Sequence, residues 1–266
     1  MPVIESGKAR LSYEEYGAGE PVLLLPPAAT PARVWALHQV PAIVAAGYRA
    51  ITLDARGTHV SPPSSPFRLA DLVADASVLI AELGLAPCLV VGASLGAMIG
   101  QELAAGHPDL VRAAALLGTR SRTDFFRGKL TRAMAAQARS GNPPSELEAL
   151  LLLSQLFSAA TLADEHTAAN LLTLFRGFHA AGVGPAMQYE ATIIADRTSA
   201  LSHVTRPCTV IAFAEDSLTP PAACLEVAAA VPGCRYVEVA DCGHFGFLER
   251  PEQVNATLLD FFSAVR

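Results

Sequence analysis

The sequence has few charged residues, few aromatic residues and no long hydrophobic run. Charged residues make up 17% of the 266 positions, and the net charge of −6 comes without any stretch dominated by Lys or Arg. That balance argues against a nucleic-acid-binding surface. The longest apolar stretches, at Ala113–Leu117 and Leu147–Leu153, are too short or too interrupted to span a bilayer. Because 52% of the residues are hydrophobic, we expect a soluble globular protein with neither a nucleic-acid nor a membrane partner.

Cysteine is also scarce, and its distribution excludes two classes of protein. The five cysteines are scattered, and none stands in a C-x-x-C pair. An odd number without metal-ligand spacing indicates reduced thiols rather than a disulfide framework or a zinc site. The first residues show no basic stretch followed by an apolar one, so the sequence does not predict a secretory signal. Together these features predict a cytoplasmic location and no bound metal.

Short apolar runs alternate with helical patterns in the first half of the chain and again after residue 208. The runs at Pro21–Leu25 and Cys88–Val91 are typical of strands covered on both faces, and Leu69–Leu83 has a helical period followed by a glycine. Between Thr119 and Val204 no strand pattern occurs. We therefore predict an α/β fold, with a mostly parallel sheet flanked by helices in residues 1–119 and 204–266, and a helical cap at 120–203.

Ser94 lies at the centre of a Gly-Ala-Ser-Leu-Gly motif between an apolar run and a helical pattern. A serine at a tight strand-to-helix turn presents its hydroxyl above the sheet, and the small residues Gly92 and Gly96 let the neighbouring backbone approach closely. This context predicts a catalytic nucleophile. The alternative is a serine that only caps the following helix.

A nucleophilic serine requires a base and an acid that orients the base. His244 lies in a glycine-flanked loop directly after the last predicted strand, and Asp216 follows the predicted strand that starts at Cys208. Carboxyl ends of parallel strands meet at one edge of a sheet, so these side chains should lie near Ser94. Glu215 is the alternative acid.

These motifs resemble the α/β-hydrolase family, in particular the group of small esterases, lactonases and cofactor-free haloperoxidase-like enzymes. The resemblance covers nearly the whole chain except the segment at 120–203. It implies that Ser94 is the nucleophile, His244 the general base and then acid, and Asp216 the acid that orients the imidazole. The spacing of Asp216 to Pro220 is similar to the family's D-x-x-T-P pattern and favours Asp216 over Glu215.

Two loops depart from the family pattern. Where most relatives carry His-Gly after the third strand, this chain has Pro26 and Pro27, which lack an N–H. The required donor lies one residue further on, so we expect an oxyanion hole formed by the backbone N–H groups of Ala28 and Leu95. The alternative is that the two prolines only terminate the strand. His59 replaces a glycine of the D-x-R-G-x-G-x-S loop. It is either a substrate contact or second proton carrier near the site, or a variant of a surface loop.

Trp35, the only tryptophan, lies near the predicted oxyanion turn and either lines the pocket or packs in the core. The expected activity is hydrolysis of a small, uncharged, largely apolar ester or lactone through an acyl-enzyme, with a small-molecule substrate and no cofactor. Two alternatives remain open: a non-hydrolytic enzyme of the same fold, such as a lyase or cyclase, and a ligand receptor that reuses the pocket. The sequence does not predict the oligomeric state.

Overall fold

The computed structural model describes residues 1–58, 61, 66–177 and 181–266. Eight strands of these described residues form one sheet. They are β1 (Val3–Ser6), β2 (Ala9–Gly17), β3 (Glu20–Leu25), β4 (Tyr48–Leu53), β5 (Cys88–Ala93), β6 (Val111–Leu117), β7 (Cys208–Phe213) and β8 (Arg235–Val239).

The strand order is β1-β2-β4-β3-β5-β6-β7-β8. The pairs β1–β2 and β2–β4 are antiparallel, whereas every pair from β4 to β8 is parallel. The prediction of a mostly parallel sheet is thus confirmed. Strand β1 was not predicted, because a four-residue edge strand with two exposed side chains gives little apolar signal.

Helices cover both faces of the sheet. They are α1 (Gln39–Ala45), α2 (Leu69–Glu82), α3 (Leu95–Gly106), α10 (Pro221–Ala230), α11 (Gly246–Glu249) and α12 (Pro251–Ala264). Alternate side chains of β3 enter two separate clusters: Val22 and Leu24 pack with residues of α1 and α12, while Leu23 and Leu25 pack with residues of α2, α3 and α10. Because both faces of β3 are buried, its sequence is a continuous apolar run rather than an alternating one.

Strands β6 and β7 pair directly with each other in the sheet, and the described residues between them form six further helices. They are α4 (Phe125–Ser140), α5 (Glu146–Leu156), α6 (Ala159–Ala163), α7 (Glu165–Gly177), α8 (Val183–Ala191) and α9 (Thr198–Leu201). We call α4 to α9 the helical segment. It falls inside the range 120–203, and the domain boundaries at those two residues stay a prediction. No helix in the described part of the chain is long and apolar enough to cross a bilayer.

The chain between β3 and β4 forms two short helices rather than one. The structure has a 3₁₀ helix at Ala32–Leu37, a break at His38, and then α1. Pro41 explains the break. Proline has no N–H, so it is tolerated in the first turn of α1 but would interrupt a helix that began at residue 34.

Candidate active site

Ser94 lies between β5 and α3, where the chain turns sharply. Its φ of 53° and ψ of −111° are unfavourable for a residue with a Cβ atom. Its N–H donates to the carbonyl of Leu117 at 2.9 Å, which helps to hold this conformation. Ser94 is half-buried while Ala93 and Leu95 are buried, so the turn leaves the serine accessible at the ends of the strands.

Gly92 and Gly96 make this turn sterically feasible. A Cβ atom on Gly96 would lie 2.0 Å from the carbonyl oxygen of Leu25, and one on Gly92 would lie 2.1 Å from that of Gly96. The N–H of Gly96 also donates to the carbonyl of Pro26 at 3.1 Å. The start of α3 is therefore fixed directly against the turn that follows β3.

His244 and Asp216 form a buried hydrogen-bonded pair. The loop after β8 carries His244 and the loop after β7 carries Asp216, with Nδ1 of the histidine 2.6 Å from Oδ2 of the aspartate. Oδ1 accepts the N–H groups of Leu218 and Thr219 at 2.8 Å each, and the Thr219 hydroxyl donates to Oδ2 at 2.6 Å. These four donors fix the carboxylate.

The environment favours the ionised form of Asp216. Burial raises the pKa of this carboxyl, but the charge and hydrogen bond of His244 and the donors of Thr219 outweigh burial and hold the pKa below its ordinary value. An ionised carboxylate accepts the Nδ1 proton of a neutral imidazole. That tautomer leaves the lone pair on Nε2, as a general base requires.

Glu215, the alternative acid, has a different partner. Its carboxylate accepts the N–H of Ala159 at 3.0 Å, at the start of α6. The structure thus joins Asp216, and not Glu215, to His244.

The turn after β3 has an unusual backbone conformation. Ala29 adopts a φ of 56°, and its N–H donates to Oε1 of Gln188 at 2.6 Å. Ala28 and Ser94 line the same cavity. Leu95 is the first residue of α3, where backbone N–H groups have no acceptor within the helix.

The loop after β4 contains the second departure from the family pattern. Oδ1 of Asp54 accepts the N–H of Ala32 at 2.8 Å, and Arg56 forms a buried two-bond ion pair with Asp75 at 2.8 and 2.5 Å. Both contacts fix the loop. His59 lies outside the described residues, so its role stays a prediction.

A cavity of about 350 Å³ lies between the sheet edge and the helical segment. Ser94 and His244 both line it, from the side of the sheet. Its apolar lining from the helical segment and the base loop comprises Leu130, Ala133, Met134, Ala138, Ala149, Leu151, Leu152, Leu156, Phe175 and Phe245. Leu151, Leu152 and Leu156 of this lining belong to α5, and Phe175 belongs to α7.

Arg120 is a charged residue of the lining and is only 5% exposed. Its Nη1 and Nη2 donate to the carbonyls of Leu218 and Thr192 at 3.3 and 2.9 Å. Burial lowers the pKa of this guanidinium to about 10, so it remains charged at neutral pH. The side chain connects the acid loop to the end of α8.

Trp35 lies in the core. Its side chain is fully buried, and its ring centroid is 4.9 Å from that of Phe247. It is absent from the described residues that line the cavity. Of the two alternatives, Trp35 therefore packs in the core.

Several polar side chains that sequence reasoning did not single out hold the site. Glu249 accepts the N–H of Gly243 at 2.7 Å, next to His244, and the N–H and hydroxyl of Ser158 at 3.0 and 2.7 Å. Thr219 contacts both Asp216 and His244. The D-x-x-T-P spacing could have pointed to Thr219. No local pattern could have pointed to Gln188 or Arg120, whose partners are far away in the chain.

Comparisons with known proteins agree with this architecture. The model of the alpha/beta hydrolase family matches residues 22–257. The chain is 39% identical to a Mycobacterium tuberculosis protein provisionally named non-heme bromoperoxidase BpoC, over 96% of this chain and 98% of the relative. It is 27% identical to rhodomycin D methylesterase DnrP of Streptomyces peucetius, over 85% of each chain.

Solved structures of related proteins are also similar to this chain in fold. The structure of Rv0554 from Mycobacterium tuberculosis has a TM-score of 0.91 at 39% identity and covers 97% of this chain and 94% of its own. The enol-lactonase from Burkholderia xenovorans LB400 has a TM-score of 0.86 at 28% identity, over 98% of this chain and 100% of its own. The protein therefore belongs to the alpha/beta hydrolase family.

Proposed function

We propose that the protein is a serine hydrolase that cleaves a small, uncharged, largely apolar ester or lactone through an acyl-enzyme. The observation that carries the proposal is the buried His244–Asp216 pair at 2.6 Å, which shares one cavity with the strained Ser94. A serine hydroxyl becomes a useful nucleophile only beside such an oriented base. The relatives named as a methylesterase and an enol-lactonase support ester or lactone chemistry.

In the proposed mechanism, His244 Nε2 takes the proton of Ser94 as Oγ attacks the carbonyl carbon. The developing oxyanion accepts hydrogen bonds from the backbone N–H groups of Ala28 and Leu95. His244 then gives its proton to the leaving alcohol, and the ester bond breaks. Water, deprotonated by the same imidazole, releases the acid and restores Ser94.

The helical segment acts in this proposal as the cap that covers the site and holds the apolar part of the substrate. Its aliphatic and aromatic side chains line the cavity opposite Ser94. Since apolar ligand surface is stabilised by such a lining, affinity should rise with acyl or alcohol chain length until the cavity is full. A cytoplasmic location is part of the same proposal.

The name of the mycobacterial relative favours one second candidate. Hydrogen peroxide in place of water would release the acyl group from Ser94 as a peracid, with the Ser94 proton restored through His244 as before. The peracid could then oxidise bromide. This candidate uses the same acyl-enzyme and differs only in the molecule that attacks it.

The proposal is tested by incubating the protein and its Ser94→Ala variant with a fluorophosphonate while following intact mass. Hydrolysis of p-nitrophenyl esters of graded chain length is measured in parallel, with and without hydrogen peroxide and bromide. We expect one adduct per chain and ester turnover, both absent in Ser94→Ala. No adduct and no turnover would refute the nucleophile, whereas an adduct without turnover of any ester would favour a lyase or a receptor.

A further inference from the structure

Gln188 connects the helical segment to two loops of the sheet edge. It belongs to α8, and its side chain is fully buried. Oε1 accepts the N–H of Ala29 at 2.6 Å, and Nε2 donates to the carbonyls of Arg56 at 2.8 Å and Ala55 at 3.4 Å. A donor on one side and two carbonyls on the other leave a single orientation for the amide group.

The turn that Gln188 holds needs support. A φ of 56° at Ala29 is strained for a residue with a Cβ atom and persists only where surrounding contacts fix it. The Thr30 hydroxyl donates to the carbonyl of Ala28 at 3.1 Å. The Ala28–Ala29 peptide is thus held at its carbonyl by Thr30 and at its N–H by Gln188. This restricts the torsions of Ala28, whose own N–H is one of the two donors of the proposed oxyanion hole.

The position of Gln188 is itself fixed by a close backbone contact. A Cβ atom on Gly184, in the first turn of α8, would lie 2.1 Å from the carbonyl oxygen of Gly57. Gly57 has a φ of 98°, which only glycine adopts without strain. Because α8 and the loop after β4 meet without intervening side chains, the distance from α8 to the backbone groups that Gln188 contacts is fixed.

We propose that Gln188 is a positioning residue that sets the oxyanion turn and makes catalysis depend on the docking of α8. This inference rests on the proposed serine hydrolase. Gln188 is absent from the described residues that line the cavity, so it acts through Ala28 and Ala29 rather than on the substrate. Its loss should slow the step in which the oxyanion forms and leave ground-state binding unchanged.

The test uses Gln188→Met, which keeps the length of the side chain and removes its hydrogen bonds. The matched control is Gln39→Met. Gln39 is also fully buried, and its Nε2 donates to the carbonyl of Phe247 at 2.9 Å and to Asn255 at 3.1 Å, away from the turn. For each variant, kcat and KM on a p-nitrophenyl ester, the thermal unfolding midpoint, and hydrogen exchange of the Ala29 amide are measured.

We expect Gln188→Met to exchange the Ala29 amide faster and to lose about tenfold to a hundredfold in kcat, with KM within about twofold. Gln39→Met should lose comparable stability but leave the exchange of Ala29 and kcat near their original values. An unchanged exchange rate, or faster exchange with unchanged kcat, would overturn the inference, as would an equal loss of kcat in both variants. Failure of the proposed function would appear separately, as absence of Ser94-dependent turnover in the unaltered protein.

Discussion

Replacing Asp216 by asparagine separates the role of its charge from the role of its shape. Oδ1 accepts two backbone N–H groups, from Leu218 and Thr219. An asparagine must therefore place its amide oxygen there, because the NH₂ group would face two other donors. The NH₂ group then occupies the place of Oδ2, 2.6 Å from Nδ1 of His244.

The imidazole must respond by changing its tautomer. An NH₂ group facing Nδ1 requires an unprotonated Nδ1, so the proton of a neutral His244 moves to Nε2, where the lone pair is needed to accept the proton of Ser94. The equivalent change in a serine protease lowers kcat about 10⁴-fold, which corresponds to about 5.5 kcal/mol of transition-state stabilisation. We expect Asp216→Asn to show a loss of this order, with KM nearly unchanged.

The assay is kcat on the best p-nitrophenyl ester, with Ser94→Ala as background. Glu215→Gln is the matched control, since it removes one negative charge at the adjacent position and keeps a side-chain oxygen that can accept the N–H of Ala159. That variant should stay within about threefold of the unaltered protein. A kcat within tenfold for Asp216→Asn, or an equal loss in Glu215→Gln, would refute the assignment of the acid.

Three further predictions concern stability. Gly96→Ala should lower the free energy of unfolding by about 3 kcal/mol or more, measured in urea, because the new methyl group would overlap a backbone carbonyl; a change under about 1 kcal/mol would contradict the described turn. Glu249→Gln weakens the bond to Gly243 and should cost about 1–2 kcal/mol and reduce kcat; unchanged unfolding and kcat would exclude a positioning role. The pKa of Asp216 is lower in the folded protein than in the unfolded chain, so its ionisation stabilises the fold above the unfolded pKa. This contribution should disappear as the pH falls through the folded pKa, and the dependence should be weaker in Asp216→Asn.

The residues of the site that the sequence predicted share one property. The pattern that identifies each of them lies in its immediate neighbours in the chain. Ser94 is recognisable because a buried strand, small residues and a helix adjoin it in the chain. Asp216 and His244 are recognisable because each follows a strand, and the carboxyl ends of parallel strands meet. The 3.6-residue period of α2 likewise predicted its extent to within one residue.

The parts that could not be predicted depend on contacts between distant residues. Gln188 bonds to Ala29 across 159 positions, and Glu249 bonds to Ser158 across 91. In the sequence each is an ordinary polar residue of a helix, and only the folded chain supplies its partner. The sequence left two alternatives open for Trp35, the pocket and the core, because closeness in sequence to the oxyanion turn does not determine which face of the sheet a side chain covers.

Hydrogen bonds between residues that are far apart in the chain join the helical segment to all three loops of the proposed site. Gln188 holds the oxyanion turn, and Ala159 donates to Glu215 beside the acid. The carbonyl of Leu156 accepts the N–H of Phe245 beside the base at 2.8 Å. A segment that only covered the substrate would need none of these bonds. Since each loop has at least one anchor in the segment, the docking of the segment should control the geometry of the catalytic groups as well as the shape of the cavity. Substitutions that break these hydrogen bonds should therefore alter kcat before they alter substrate preference.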